Sequence, residues 1–221
     1  MKGELLYEIY RDCEPPCLSV ITGFPQVGKS WTGMKMGEIL DSSFGLDDIV
    51  FMPDHFMDKI KELHDRPDKS QGRILLIDDI GGWNYGRYSG PTLGDLIPLC
   101  MHLTQANLIC TVRDFYFLEP KVRGLAAHIL MVHHMNRAAG PEDLKDKNCV
   151  TWYKAKPDPE NEGRRIYVRP KVNGKKLDHM FFTRPDRKLT IAYEEEVELL
   201  KNALLDKLLA ESRERYKVKA T

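Results

Sequence analysis

Gly23-Phe24-Pro25-Gln26-Val27-Gly28-Lys29-Ser30 matches G-x-x-x-x-G-K-[ST] at every fixed position. The context is the one this pattern requires. An apolar run, Cys17–Thr22, reads as a buried strand before it, and Lys29–Leu40 reads as a helix after it. Gly23 and Gly28 permit backbone angles at which successive N–H groups turn toward an anion. A helix beginning near Lys29 adds its positive N-terminal end. Lys29 supplies a mobile cation for the β- and γ-phosphates of a nucleotide, and the Ser30 hydroxyl is a hard oxygen ligand for Mg²⁺. Gly23, Phe24, Pro25, Gln26, Val27, Gly28, Lys29, Ser30 and Trp31 are therefore the predicted nucleotide-binding residues. Trp31 packs either near the base or under the loop.

A phosphate loop needs an acidic strand as its complement, and Ile74-Leu75-Leu76-Ile77-Asp78-Asp79 supplies one about fifty residues downstream. Asp78, at the carboxyl end of a parallel strand, faces the crevice where such sheets bind ligands. It is predicted to hold the magnesium through water or through Ser30. Asp79 stands where motor-type ATPases place a glutamate that polarises water, and it is one methylene shorter. The bland alternative is that both acids only cap the turn at Gly81-Gly82. Asn107-Leu108-Ile109-Cys110-Thr111-Val112-Arg113-Asp114 reads as a further strand ending in polar residues. Thr111 and Arg113 are candidate sensors of the γ-phosphate, unless Arg113 is an exposed strand-end residue paired with Asp114.

Outward from this centre, short apolar runs alternate with helical patterns from Cys17 to His134. Ile49–Met52 is a strand, Asp54–His64 a helix with Asp54 as its N-cap, Leu93–Leu103 a helix entered through Pro91-Thr92, Glu119–Ala127 a short helix, and Ile129–Val132 a strand. Such alternation predicts an α/β fold with a mostly parallel sheet covered on both faces. Beyond Met135 the texture changes. Val150–Lys154 and Arg165–Val168 read as strands around turn chemistry at 157–163. Val172-Asn173-Gly174-Lys175 carries a hairpin signal, with Met180–Phe182 as the returning strand. Tyr193–Tyr216 is an amphipathic helix with Val197, Leu200, Leu204 and Leu208 on one stripe. The expected organisation is one domain over 1–221: a core at about 17–135, a β-hairpin extension at about 149–183 and a C-terminal helix at about 191–217.

Composition limits the classes of function. In 221 residues, 42% are apolar and 30% charged, which fits neither a membrane-embedded nor a disordered chain. Lys and Arg number 33 and so do Asp and Glu, so a global electrostatic grip on nucleic acid is excluded and any contact needs a local patch. Arg164, Arg165, Arg169, Lys171, Lys175 and Lys176, with Tyr167 among them, form such a patch in an acid-free stretch; the alternative is an edge hairpin protected from aggregation. Gly81-Gly82-Trp83-Asn84-Tyr85-Gly86-Arg87-Tyr88 is a second candidate, through aromatics that stack on bases. The five cysteines are odd in number and scattered, as free thiols are in a reducing compartment. With no signal-like start at Met1-Lys2-Gly3-Glu4 and no long apolar run, a soluble cytoplasmic protein without membrane contact is expected.

The order of phosphate loop, LLIDDIGGW, helix, strand ending in Thr-Val-Arg-Asp, then Phe117-Leu118-Glu119-Pro120-Lys121-Val122-Arg123, the strand His128–His133 and Phe181-Phe182-Thr183-Arg184-Pro185 resembles a known family. It is similar to the P-loop ATPases of the HerA/FtsK superfamily, especially the compact versions of archaeal viruses and plasmids that include genome-packaging ATPases. That resemblance implies a three-layer P-loop NTPase of the additional-strand type. It implies ATP and Mg²⁺ as cofactors, a homo-oligomeric ring, double-stranded DNA and capsid proteins as partners, and DNA driven into a viral capsid. Two positions depart from the pattern: Asp79 replaces the usual glutamate, and Thr111-Val112-Arg113 stands where many relatives have threonine-glutamine. Arg123, or else Arg87, is placed to reach a neighbouring subunit's nucleotide, an arrangement that can be worth about 10³–10⁵ in rate. The bland reading has Arg123 complementing Glu119 on one short helix. A helicase loader or transposition helper of the DnaC/IstB kind would share the loop and the acidic strand. A small-molecule kinase lacks support in the missing arginine-rich lid and in the paired acids.

Overall fold

Every residue of the strand before the phosphate loop, β1 (Leu18–Thr22), is buried, which requires neighbours on both edges and cover on both faces. The computed structural model describes residues 16–65, 73–80, 92–133, 147–161, 164–172, 175–176 and 179–218. β4 (Asn107–Val112) pairs with β1 in parallel along one edge, Leu18 opposite Leu108 and Thr22 opposite Val112. β5 (Ala126–His133) pairs in parallel along the other, Ser19 opposite His128. β3 (Ile74–Ile77) lies beyond β4, and β2 (Ile49–Val50) beyond β3, both parallel. One strand therefore stands between the phosphate-loop strand and the acidic strand, which is the additional-strand arrangement.

On the far side of β5 the direction reverses. β6 (Lys147–Pro157) runs antiparallel to it. β7 (Arg165–Val168) and β10 (Met180–Thr183) pair antiparallel with β6, completing the order β10-β6-β5-β1-β4-β3-β2. One expectation is met here and one corrected. The Asn-Gly signal joins β8 (Lys171–Val172) to β9 (Lys175–Lys176) as a separate two-stranded ribbon. Met180–Thr183 returns to β6 instead of to that hairpin, with Met180 opposite Val150. β6 also begins three residues before Val150, which draws Asn148 into the sheet.

Strand alternation sends the side chains of β1, β3 and β4 to two faces, and helices cover both. On one face Leu18, Val20, Leu75, Ile77, Leu108 and Cys110 pack with residues of α2 (Pro53–Asp65), α3 (Leu93–Thr104) and α4 (Pro120–Leu125). On the other, α1 (Lys29–Leu40) approaches closely because Gly33 has no side chain: a Cβ there would lie 2.8 Å from Leu76 Cδ1. The three layers position the loop between β1 and α1. The second helix starts at Pro53, so Asp54 stands in its first turn and is not the N-cap; proline is pre-organised for that first position. The third is entered through Thr92, whose N–H and hydroxyl both donate to Asp95 Oδ2.

The chain divides at Pro185/Asp186 into two compact units. The second holds one long helix, α5 (Arg187–Val218), which starts earlier than expected because Asp186 caps it: its Oδ1 accepts the Lys188 N–H at 2.8 Å. Of the proposed apolar stripe, Val197 and Leu200 are half-buried and Leu204 is exposed, as are Leu199, Leu205 and Leu209. Cys17, Cys100 and Cys110 are buried, and burial pushes the Cys100 thiol up to about 11. Among the described residues no helix is long and apolar enough to cross a membrane.

His128, fully buried on β5, accepts a hydrogen bond at Nδ1 from Trp152 Nε1 at 3.0 Å. Burial, with a smaller contribution from Lys154, pushes its imidazolium pKa down to about 3 from an ordinary 6.5. Between those values the unfolded chain binds a proton that the folded chain refuses, so stability falls as pH falls through this window. Acidification from pH 7 to pH 5 should cost about 2 kcal/mol through this group. Denaturant titrations should show that extra loss in the wild type and not in His128→Gln, which keeps an acceptor for Trp152. Parallel pH profiles would contradict it.

Candidate active site

The loop between β1 and α1 is shaped by close approaches at its two glycines. Gly23 has φ 151°, and a Cβ there would lie 2.5 Å from the Val132 carbonyl oxygen at the end of β5. Gly28 has φ 91°, and its Cβ would meet the Asn148 amide at 2.6 Å. Gln26 also holds a left-handed conformation, φ 63°, which costs a non-glycine residue about 1–2 kcal/mol. Val27 is buried and anchors the turn, whereas Phe24 at the tip is 79% exposed and Pro25 is exposed beside it. Lys29 reaches back over the loop, its Nζ donating to the carbonyls of Gly23 and Phe24 at 2.9 Å each. Burial holds its pKa below the ordinary lysine value, against the attraction of Asp79 and Asp78, while the charge of Arg113 adds to the depression.

The acidic strand meets the loop at one carboxylate. Ser30 Oγ donates to Asp78 Oδ1 at 2.9 Å, and Thr111 Oγ1 donates to the same oxygen at 2.6 Å. The Thr111 hydroxyl in turn accepts the Asp79 N–H at 2.7 Å. A threonine at the end of the inserted strand thus touches both acids. Asp78 is buried and Asp79 exposed, the latter in a left-handed conformation of φ 47°. Arg113 is exposed at the rim, its carbonyl accepting a 3.4 Å hydrogen bond from the Thr22 hydroxyl. Asp114 gives its carboxylate to the Tyr116 N–H, capping the 3₁₀ turn Phe115–Phe117. Two hydroxyls and a buried carboxylate are hard oxygen donors suited to Mg²⁺.

From the other side of β1 comes a residue that the sequence reading missed. Asn148 of β6 donates from Nδ2 to the Gly28 carbonyl at 2.8 Å and to Thr32 Oγ1 at 3.0 Å. The Thr32 N–H and hydroxyl also donate to that carbonyl, at 2.9 Å each. Gly28 O therefore accepts three hydrogen bonds, and the loop is tied to β6 as well as to its own helix. Trp31 has Arg184 against it, with Cζ 4.9 Å from the indole centroid.

Arg123 is not part of the chain's own site. Its helix α4 leads into β5 at Ala126, which lies opposite Leu18 at the start of β1. The loop is at the other end of that strand, about 13 Å away. Among the described residues no ion pair joins Arg123 to Glu119, whose carboxylate accepts the Gly94 N–H at 3.0 Å. Arg123 Cζ lies 5.5 Å from the Tyr116 ring centroid, and its buried Nε has no hydrogen-bond partner. In the basic segment Arg164, Arg165, Lys171 and Lys176 are exposed and Arg169 is half-buried. Tyr167 is half-buried, its hydroxyl donating to the carbonyls of Arg123 and Ala126. Arg87 and the loop Gly81–Tyr88 lie outside the described residues.

No family model matches the chain, and no curated protein matches it. Among solved structures it is similar to the N-terminal domain of zonular occludens toxin from Neisseria meningitidis, at 15% identity over 80% of this chain and 97% of that one, TM-score 0.45. It is similar to the genome packaging NTPase B204 from Sulfolobus turreted icosahedral virus 2 in complex with AMP, at 16% identity over 60% and 80%, TM-score 0.41. The flagellar accessory protein FlaH from Methanocaldococcus jannaschii is a third, at 12% identity over 81% and 90%, TM-score 0.44.

Thr111→Val keeps shape but strands the Asp79 N–H and removes a donor from Asp78. Misplacing a catalytic group by an ångström can cost about 10² in rate. Turnover of ATP in this variant should fall by about ten- to a hundredfold with affinity changed by less than about threefold. Steady-state kinetics beside a binding titration checks this. An unaltered turnover would remove Thr111 from the mechanism.

Proposed function

We propose that the chain is a magnesium-dependent ATPase that translocates double-stranded DNA as a homo-oligomeric ring, in the manner of a genome-packaging motor. The observation that carries the ATPase reading is the shared carboxylate: Asp78 receives one hydroxyl from the phosphate loop and one from the inserted strand. Lys29, now resting on two loop carbonyls, exchanges them for phosphate oxygens when nucleotide enters. Ser30 and Asp78 hold the metal, which when bound neutralises charge on the β- and γ-phosphates. Asp79 is the carboxylate for the attacking water and accepts its proton. Its backbone is set by Thr111, so the γ-phosphate's arrival at that strand end is felt by the base directly. Arg113 at the rim meets the γ-phosphate from the same strand.

The DNA reading rests on the resemblance in motif order and on the exposed cations Arg164, Arg165, Lys171 and Lys176. In a chain of zero net charge such a ridge tracks phosphates without reading bases. A ring supplies what one chain does not, an arginine for the nucleotide from outside, and Arg123 is the residue assigned to that role.

The test is phosphate release with and without double-stranded DNA. Wild-type protein should hydrolyse ATP faster with DNA. Lys29→Ala should be inactive in both conditions, and Arg123→Ala inactive alone but partly rescued on mixing with Lys29→Ala. Replacing Arg164, Arg165, Lys175 and Lys176 with Ser should remove the stimulation and keep the basal rate. A basal rate indifferent to DNA in the wild type would contradict translocation while leaving the ATPase standing.

A further inference from the structure

The phosphate end of the site is fixed on one side of β1. Ser30, Asp78, Thr111 and Arg113 are joined toward β4 and β3, so the γ-phosphate belongs there. The nucleoside lies at the opposite end of the triphosphate, past the start of α1 where the loop's N–H groups meet the α-phosphate. Trp31 is the residue there, directly after Ser30. The strands that reach this side of the loop are β6 and β10. β6 touches it through Asn148 on Gly28, and Arg184 follows the last residue of β10.

We propose that Trp31 and Arg184 form the seat of the nucleobase, with a purine ring stacking on this pair; the proposal rests on the reading of the loop as a nucleoside triphosphate site. The indole is half-buried and the arginine exposed. The Arg184 Cζ stands 4.9 Å from the indole centroid, within the range at which the ring quadrupole holds a cation. A guanidinium is planar, weakly hydrated and stacks on π-faces, and its N–H donors can meet acceptor atoms on a purine edge. Its position is set from both sides. Phe182, two residues before, is buried in β10, and Pro185, directly after, is buried and has a fixed φ. A pair already stacked loses little conformational freedom when a base arrives.

The experiment compares ATP with tripolyphosphate, which carries the same phosphates and no base. Stacking of a base on an aromatic is worth about tenfold or more in affinity. Calorimetry should show wild-type protein binding ATP at least about tenfold more tightly than tripolyphosphate. Arg184→Ala and Trp31→Ala should each lose about tenfold for ATP and keep tripolyphosphate within about twofold. Trp31→Phe, which retains a ring, should stay within about threefold of the wild type for ATP. ATP, and not tripolyphosphate, should change the tryptophan fluorescence of the wild type, and Trp31→Phe should abolish the change. Equal losses for both ligands in Arg184→Ala, or ATP affinity unaltered in both alanine variants, would overturn the base seat and leave the phosphate loop intact. A wild type that binds neither ligand would overturn the loop reading and this one together.

Discussion

A buried carboxylate must be given hydrogen-bond donors, and the way Asp78 obtains them organises this protein. An unpartnered charge at the end of β3 would cost several kcal/mol. Ser30 and Thr111 meet the requirement from two different elements, at 2.9 and 2.6 Å. That is possible only if the phosphate-loop helix and the end of β4 converge on β3. The convergence follows from the strand order, with β4 between β1 and β3, and from the close packing of α1 that Gly33 permits. Electrostatic satisfaction and tertiary topology are thus one constraint. The same donors and acceptor are the ones a hard divalent cation would use.

The loop is held from the other flank by sterics and hydrogen bonding together. Gly23 is pressed by the Val132 carbonyl and Gly28 by the Asn148 amide. Any side chain at either position would displace a strand end or break the bonds to Gly28 O. The antiparallel half of the sheet is therefore part of the candidate site and not an appendage to it. A change in β6 or β10 has a direct route to the loop through Asn148 and to its helix through Trp31.

The sequence reveals most where local chemistry determines position. Lys29, Ser30 and Asp78 follow from residue type, spacing and the strand–loop–helix context, and Thr111 follows from its place at the end of an apolar strand. Asn148 was illegible because Lys147-Asn148 continues a polar run that reads as a loop. It is buried only because β6 extends beside β5 and reaches a glycine 120 residues away in sequence. Met180–Thr183 shows the same limit: alternation identifies a strand and its faces, but not which edge it joins. The Glu119–Arg123 spacing allowed a helical ion pair, yet the Glu119 carboxylate meets the Gly94 N–H at the start of α3. In each case the missing information is a contact between distant segments, which no local pattern encodes.

The central claim is that Asp78, through Ser30 and Thr111, makes the phosphate loop a magnesium-dependent nucleotide site. Calorimetric titration of ATP into wild type and Asp78→Asn, each with Mg²⁺ and with chelator, tests it most directly. The account predicts that Mg²⁺ tightens ATP binding in the wild type and that Asp78→Asn loses this dependence while still binding ATP in chelator. Identical titrations with and without Mg²⁺ in the wild type, or an undiminished Mg²⁺ effect in Asp78→Asn, would contradict it.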